Sequence, residues 1–488
     1  MTFSRQRSLL ACLVVLCLAT LGVTLLTARA EAAPRSLETG ISYVYGNEPE
    51  EFAHVKATGA KLVLTPLNWA QVVPQAEPAN WNPQDPADPN YDWEFIDTWV
   101  KNALAAGLTP VLQVRGAPPW AQNCGPYRYD SPCEPDPTKL AQFTTAVVTR
   151  FSGHFDGLPR VRYWQGLNEP NYGFYFKPQF ANHKPVSPRL YRKLINGFYA
   201  AVKSVDPSNI VLMAGLGPIG VPGQTVAPLR FARELLCMTG GPDNPRKGKG
   251  NCEGGVHFDV FDIHPYTSGG PTHEGEGDFV ELGDIPQLQK LLRAADRAGR
   301  IKSNLHKRTP LWIVEMSWDT KPPDPHGISF KLASQWISEA LYRTWKQGVE
   351  HFFWFSIVDF DRRGVIPPNE NVEAGFYFWN PNVAEQQAKP TIDAFRFPFV
   401  ALREGKGLMV WGRTPNSTGG TVRIEAKGNG GWKTLRTLRA AGNGMFTTVL
   451  GTSYGADRKG SVRATYLGES SVPFPMNPVG DHRVNPFG

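Results

Sequence analysis

The sequence predicts an α/β protein, a (β/α)8 barrel followed by a small antiparallel β domain. Three observations predict it. Short apolar strands beginning at Ile41, Lys61, Thr109, Val161, Val211, Val260, Leu311 and His351 alternate with amphipathic helical segments. The first strand leads into Tyr45-Gly46-Asn47-Glu48-Pro49, which is not the Gly-rich phosphate loop that an open doubly wound sheet would want there. Past Val400 the texture changes to a two-residue alternation punctuated by glycine turns.

Taken in order, the chain opens with Arg5 and Arg7 ahead of an apolar run from Leu9 to Leu26. Small-x-small sites follow at Ala28-Arg29-Ala30 and Ala30-Glu31-Ala32. Residues 1–32 therefore read as a secretory signal peptide, with an uncleaved membrane anchor as the alternative. The barrel is expected over 38–400. Its helices read as Phe95–Ala106, closed by Gly107, then Leu140–Phe151, Leu190–Val205, Leu229–Met238, Ile285–Ala298 and Lys331–Gln347. Residues 401–488 form the second domain. Thr421–Lys427 and Ser461–Tyr466 alternate apolar and polar positions, and Gly428–Gly431 and Asn443-Gly444 supply turns. This sandwich either packs on the barrel as a stabilising module or binds carbohydrate or wall polymer.

Composition narrows the function. A 41% hydrophobic chain with 14 Trp and 27 Phe builds a core and is not disordered. The net charge of +7 sits unevenly: 401–488 carries 12 basic and 5 acidic residues, whereas 31–400 is slightly acidic. In a secreted chain, a basic tail suits an anionic wall or capsule polymer, or solubility, better than nucleic acid. Four cysteines follow the leader. Of three possible pairings, the local one is expected, Cys124 with Cys133 and Cys237 with Cys252, each closing a loop rich in turn residues. With no C-x2-C and no H-E-x-x-H, no metal and no cofactor are expected.

Two strands end on a carboxylate. Tyr163-Trp164-Gln165-Gly166 runs into Asn168-Glu169-Pro170-Asn171, where proline supplies no ladder N–H and biases Glu169 toward extended backbone. Leu311-Trp312-Ile313-Val314 stops at Glu315. Paired carboxylates at strand ends are the equipment of a retaining glycosidase. The loops at the same ends are aromatic, with Trp69 after strand two, Trp120 after strand three and Tyr172–Phe176 after strand four. Aromatic faces stack on the apolar C–H faces of sugar rings.

Four motifs in order then resemble clan A glycoside hydrolases. They are Asn168-Glu169-Pro170, Phe261–Tyr266, Trp312–Glu315 and Phe353-Trp354-Phe355, and the likeness spans about 40–400, including a closing helix between Lys389 and Val400. The resemblance implies Glu169 as acid/base and Glu315 as nucleophile. Asn168 would bond the sugar 2-hydroxyl, Tyr266 would hold Glu315 ionised, and His264 would line the same pocket. Asp262 would lie below them as a support. Trp354 would floor the reacting-sugar subsite, with Phe355 taking its place if the register shifts by one. Asn168 and Glu169 can share a face only if the ladder breaks there. Many clan members carry an arginine near the end of strand two; here Leu62–Pro66 has none, and Arg115 is the candidate substitute.

The expected function is retaining hydrolysis, by a secreted enzyme, of internal β-type O-glycosidic bonds in a polysaccharide. The rivals are a binding-only wall protein on an inactive barrel and a transglycosylase using the same residues. None of the motifs lies in 401–488, so the chemistry is expected to be separable from that domain.

Overall fold

Eight parallel strands make the barrel wall: β1 (Glu38–Ser42), β2 (Leu62–Asn68), β3 (Thr109–Arg115), β4 (Tyr163–Gly166), β5 (Ile210–Leu212), β6 (Phe261–Ile263), β7 (Leu311–Ile313) and β8 (His351–Phe355). They pair in sequence order from β1 to β5 and from β6 through β8 back to β1. Parallel bridges Leu212–Val260 and Leu216–Ile263 join β5 to β6 and close the ring. All eight expected strands are present.

This computed structural model describes residues 35–125, 131–249, 252, 254–360, 372–404, 407–428, 430–451, 460–478, 480, 481, 483 and 484. The expected leader, 1–32, lies outside the described residues. Among the described residues no helix is long and apolar enough to cross a membrane.

The helices are α1 (Pro49–Ala57), α2 (Glu94–Ala105), α3 (Pro137–Arg150), α4 (Ser187–Val205), α5 (Pro228–Leu235), α6 (Ile285–Arg297), α7 (Phe330–Gln347) and α8 (Ile392–Arg396). Their starts follow ordinary capping chemistry. Asp136 caps α3 through the N–H groups of Thr138 and Lys139, and Ser329 caps α7 through that of Leu332. Gly348, left-handed at φ 87°, ends α7. Helix α1 escapes sequence reading because it buries only Phe52 and Val55, too few to form a stripe. The closing helix is shorter than expected. It ends at Arg396, and Phe399 already begins a strand of the second domain.

The barrel interior is layered. Inward residues Tyr163, Trp312, His351 and Phe353 fill the amino-terminal end, with Trp312 between the His351 and Phe353 rings. Above them lies a polar layer. Gln165 donates to Asp262 (2.5 Å), Gln113 donates to Gln165 (2.8 Å), and Asp262 also accepts the Ala214 N–H (2.9 Å). Asp262 is thus the buried support that its parity implied.

The second domain is two antiparallel sheets, as expected. β9 (Phe399–Glu404), β10 (Gly407–Arg413) and β13 (Met445–Leu450) form one; β11 (Gly420–Gly428), β12 (Gly431–Ala440) and β14 (Ser461–Tyr466) lie in the other. Along β11, Val422 and Ile424 are fully buried while Thr421 and Arg423 face out, the alternation legible in sequence. The sheets are fused to the barrel, and Arg35–Gly488 forms one compact unit. Trp411 packs on Tyr342 and Trp345 of α7, both at 5.6 Å between ring centres. The buried Arg413 donates to the carbonyls of Leu37 and Phe395. Both disulfides follow the local pairing, Cys124–Cys133 and Cys237–Cys252.

Candidate active site

β4 stops at Gly166, and the chain then leaves regular geometry. Leu167 and Glu169 are both left-handed, at φ 68° and 40°. Glu169 is therefore not in the extended conformation that Pro170 was expected to favour. A left-handed glutamate costs on the order of 1–3 kcal/mol, and the surroundings hold it there. Its N–H is shared between the carbonyls of Ala214 and Gly215, each at 3.2 Å. The break in the ladder turns Asn168 and Glu169 to the same side, as the resemblance required.

Glu315 arrives on the other side of the barrel, two residues past β7, with the Val314 N–H donating to the carbonyl of Ile263 (3.2 Å). His264 stands between the two acids. Its Nδ1 is 2.8 Å from Glu169 Oε1 and 3.3 Å from Glu315 Oε2. One oxygen of each carboxylate and a ring nitrogen of His264 all lie within 4.8 Å of one another. Such spacing suits a metal ion as well as the hydrogen bond that joins His264 and Glu169. The Tyr266 hydroxyl donates to Glu315 Oε2 (3.0 Å). Glu315 Oε1 is buried with no partner among the described residues.

Burial sets the protonation of this group. It pushes the Glu169 carboxyl up to about 8. Burial also raises Glu315, to about 7; there the Tyr266 and Tyr43 hydroxyls favour the anion, whereas neighbouring Glu169 disfavours it. Burial lowers His264, which stays a neutral imidazole near pH 7. Glu169 is thus the more readily protonated of the two acids.

The floor is the polar layer. Gln113 Nε2 donates to Asn168 Oδ1 (3.0 Å), and Gln113 Oε1 accepts the Tyr43 hydroxyl (3.0 Å). Asn168 is thereby fixed with its carbonyl down. Gly215, at φ 61°, makes room for the imidazole: a Cβ there would stand 2.1 Å from His264 Nε2.

Two of the expected sugar-contacting tryptophans are elsewhere. Trp354 is only 1% exposed and its ring points out of the barrel, packing on Trp318, Phe376 and Phe395 and donating to the Ala374 carbonyl. The adjacent Phe355 takes the inner face instead, 5.1 Å from the Tyr43 ring and 6.3 Å from Tyr266. A one-residue difference along a strand exchanges faces, which is why the motif left the choice open. Trp69 is also 1% exposed, stacked on Phe143 and edge-on to Trp120, so it packs a loop and offers no face to a sugar. Trp120 lies at the outer edge of that cluster, with Lys139 Nζ 5.0 Å from its ring centre. Tyr43 and Gln113 were missed by sequence reading. Gln113 is one polar residue among the apolar neighbours of β3 and Tyr43 follows the end of β1 directly, and neither has a local pattern to mark it.

No protein-family profile and no curated protein matches the chain. Solved structures do. One is a family 39 glycoside hydrolase from the gut symbiont Bacteroides cellulosilyticus, at 17% identity and TM-score 0.52, covering 85% of this chain and 81% of that one. Another is a glucosidase from Croceicoccus marinus, at 14% identity and TM-score 0.50, covering 85% and 93%. At such identities the likeness establishes the fold: this chain has the (β/α)8 architecture of those glycoside hydrolases.

Proposed function

We propose that the chain is a retaining glycoside hydrolase acting on β-type O-glycosidic bonds of a polysaccharide. The observation that carries this reading is the separation of Glu169 and Glu315, with oxygens within 4.8 Å at the carboxyl-terminal mouth of the barrel. Retaining enzymes hold their carboxyl groups about 5–5.5 Å apart, and inverting ones need about 6.5–9.5 Å to admit a water. The glycoside hydrolases found among structures of the same fold add support by analogy.

In this mechanism Glu315 Oε1 attacks the anomeric carbon while protonated Glu169 gives its proton to the leaving oxygen. The glycosyl–Glu315 ester then breaks when Glu169, now ionised, takes a proton from water. With its proton on Nδ1, His264 donates to ionised Glu169, 2.8 Å away, and so steadies the anion formed after the first step. Tyr266 steadies Glu315 before attack and again as it departs. Asn168 is oriented for the 2-hydroxyl, and Phe355 with Tyr43 supplies the apolar wall that Trp354 does not.

The test is hydrolysis of a panel of β-linked plant and bacterial wall glycans, followed by NMR of the first anomer released. The expected product keeps the β configuration. An initial α product would make the enzyme inverting, and no cleavage of any β-glycan by folded protein would favour a binding role.

A further inference from the structure

Arg115 is the last residue of β3 and stands two positions past Gln113, so both face the barrel axis, with Arg115 one level nearer the mouth. Its guanidinium lies 5.6 Å from the Tyr43 ring centre, beside the ring that also abuts Phe355 in the cleft wall. Tyr45, half-exposed at the rim, packs at a tilt 5.4 Å from Tyr43. Tyr175 and Glu315 complete the polar groups that face this cation. Arg115 is partly buried and makes no ion pair with any described carboxylate. It does not act as a bonded counter-ion to Glu315, whose Oε2 is held by Tyr266 and His264 and whose Oε1 has no partner among the described residues.

Glu315 and the three tyrosines favour the charged guanidinium against the cost of burial, but no described carboxylate bonds it, which leaves its N–H fork for an anionic ligand. Guanidinium matches a planar, two-oxygen anion best. The cleft already holds the ionised Glu315, so a negatively charged sugar would be repelled from it unless a cation faced the added charge. We propose that Arg115 makes this cleft selective for an acidic glycan, binding an anionic substituent, a uronate carboxylate or a sulfate ester, on the sugar at or beside the reacting unit. The inference rests on the glycosidase reading of Glu169 and Glu315.

The experiment compares matched substrates. Uronate-containing polysaccharides are set against the same polymers with carboxyls reduced to primary alcohols, and sulfated polymers against their desulfated forms. Linkage and ring stereochemistry stay fixed while the charge is removed. Wild-type protein should prefer one charged member over its neutral partner by about tenfold or more in kcat/KM, mainly through KM. The carboxyl and sulfate arms say which anion it reads. Arg115→Gln should erase that preference, and Arg115→Lys should restore part of it, since a point charge replaces the planar fork.

Preference for neutral polymers, or an equal loss on both members in Arg115→Gln, would overturn the inference and leave Arg115 a support of the cleft. Calorimetric binding of the same pairs separates this outcome from failure of the hydrolase reading. If nothing is cleaved, charge-selective binding lost in a folded Arg115→Gln still upholds the role of Arg115, and the absence of any charge preference in binding defeats it.

Discussion

At the residue scale, the proposed mechanism divides the labour between two buried carboxyl groups with different surroundings. It needs Glu315 ionised and Glu169 protonated. Burial places the two groups at about 7 and about 8. As pH falls, Glu315 takes up a proton and the nucleophile is lost; as pH rises, Glu169 loses its proton and the acid is lost. The profile of kcat/KM is therefore expected to be bell-shaped, with its maximum between those values. Tyr266→Phe removes a hydroxyl that favours the Glu315 anion, so the acid limb should move to higher pH. A profile that stays level through both limbs would mean that these groups do not carry the proton traffic. The two glutamates were legible because each follows closely on a strand, Glu169 three residues past β4 and Glu315 two past β7. Tyr43 and Gln113 were not, since what makes them part of the site is proximity across distant strands.

At the scale of elements, the site depends on how strands end. β4 gives way to the left-handed Leu167 and Glu169, and the segment after β5 passes through Gly215 against His264. Gly215→Ala would drive a Cβ into the imidazole as well as strain a backbone at φ 61°. Gly223→Ala meets the same kind of strain, at φ 77°, but nothing within 4 Å. Strain alone costs about 1 kcal/mol, a shift of about 1 °C in Tm for a chain of this size. Gly215→Ala should lower Tm further than Gly223→Ala and reduce kcat at least tenfold, because His264 must move. Equal melting temperatures and unimpaired turnover would show that the imidazole's position is not needed. The strands themselves were legible from their apolar runs. The inward face of β8 was not, because Trp354 and Phe355 are both apolar and only the register distinguishes them.

Across the whole molecule, the barrel and the terminal sheets share a core. Trp411, Arg413 and the Phe399 strand cover α7, α8 and the start of β1, and Asp481 accepts the Gly270 N–H and meets His273 Nδ1 at 2.7 Å in the loop after β6. That loop follows Tyr266 directly. The absence of catalytic motifs past Val400 suggested a separable tail, since motifs in a sequence report chemistry but not which surfaces need cover. We expect a chain ending at Val400 to fold poorly, or to lose on the order of 5 °C in Tm, because stripping a buried aromatic contact alone costs about 3–5 kcal/mol. Thermal melts of the truncated and full chains check this. A truncated chain as stable as the parent would make residues 401–488 an independent module. The domain order and the sandwich were readable from alternation and turns; the fusion of the two was not.

The unequal roles of Glu169 and Glu315 are tested most directly by azide rescue of their alanine variants on an aryl glycoside with an acidic phenol. Such a leaving group needs little protonation, so Glu169→Ala should still form the glycosyl–Glu315 ester and stall there. Azide should then speed turnover and give a β-glycosyl azide, read by NMR. Glu315→Ala should show no turnover by the double-displacement route. Rescue of Glu315→Ala to an inverted azide, with none for Glu169→Ala, would mean that the two roles are reversed, and full activity in either variant would contradict the account.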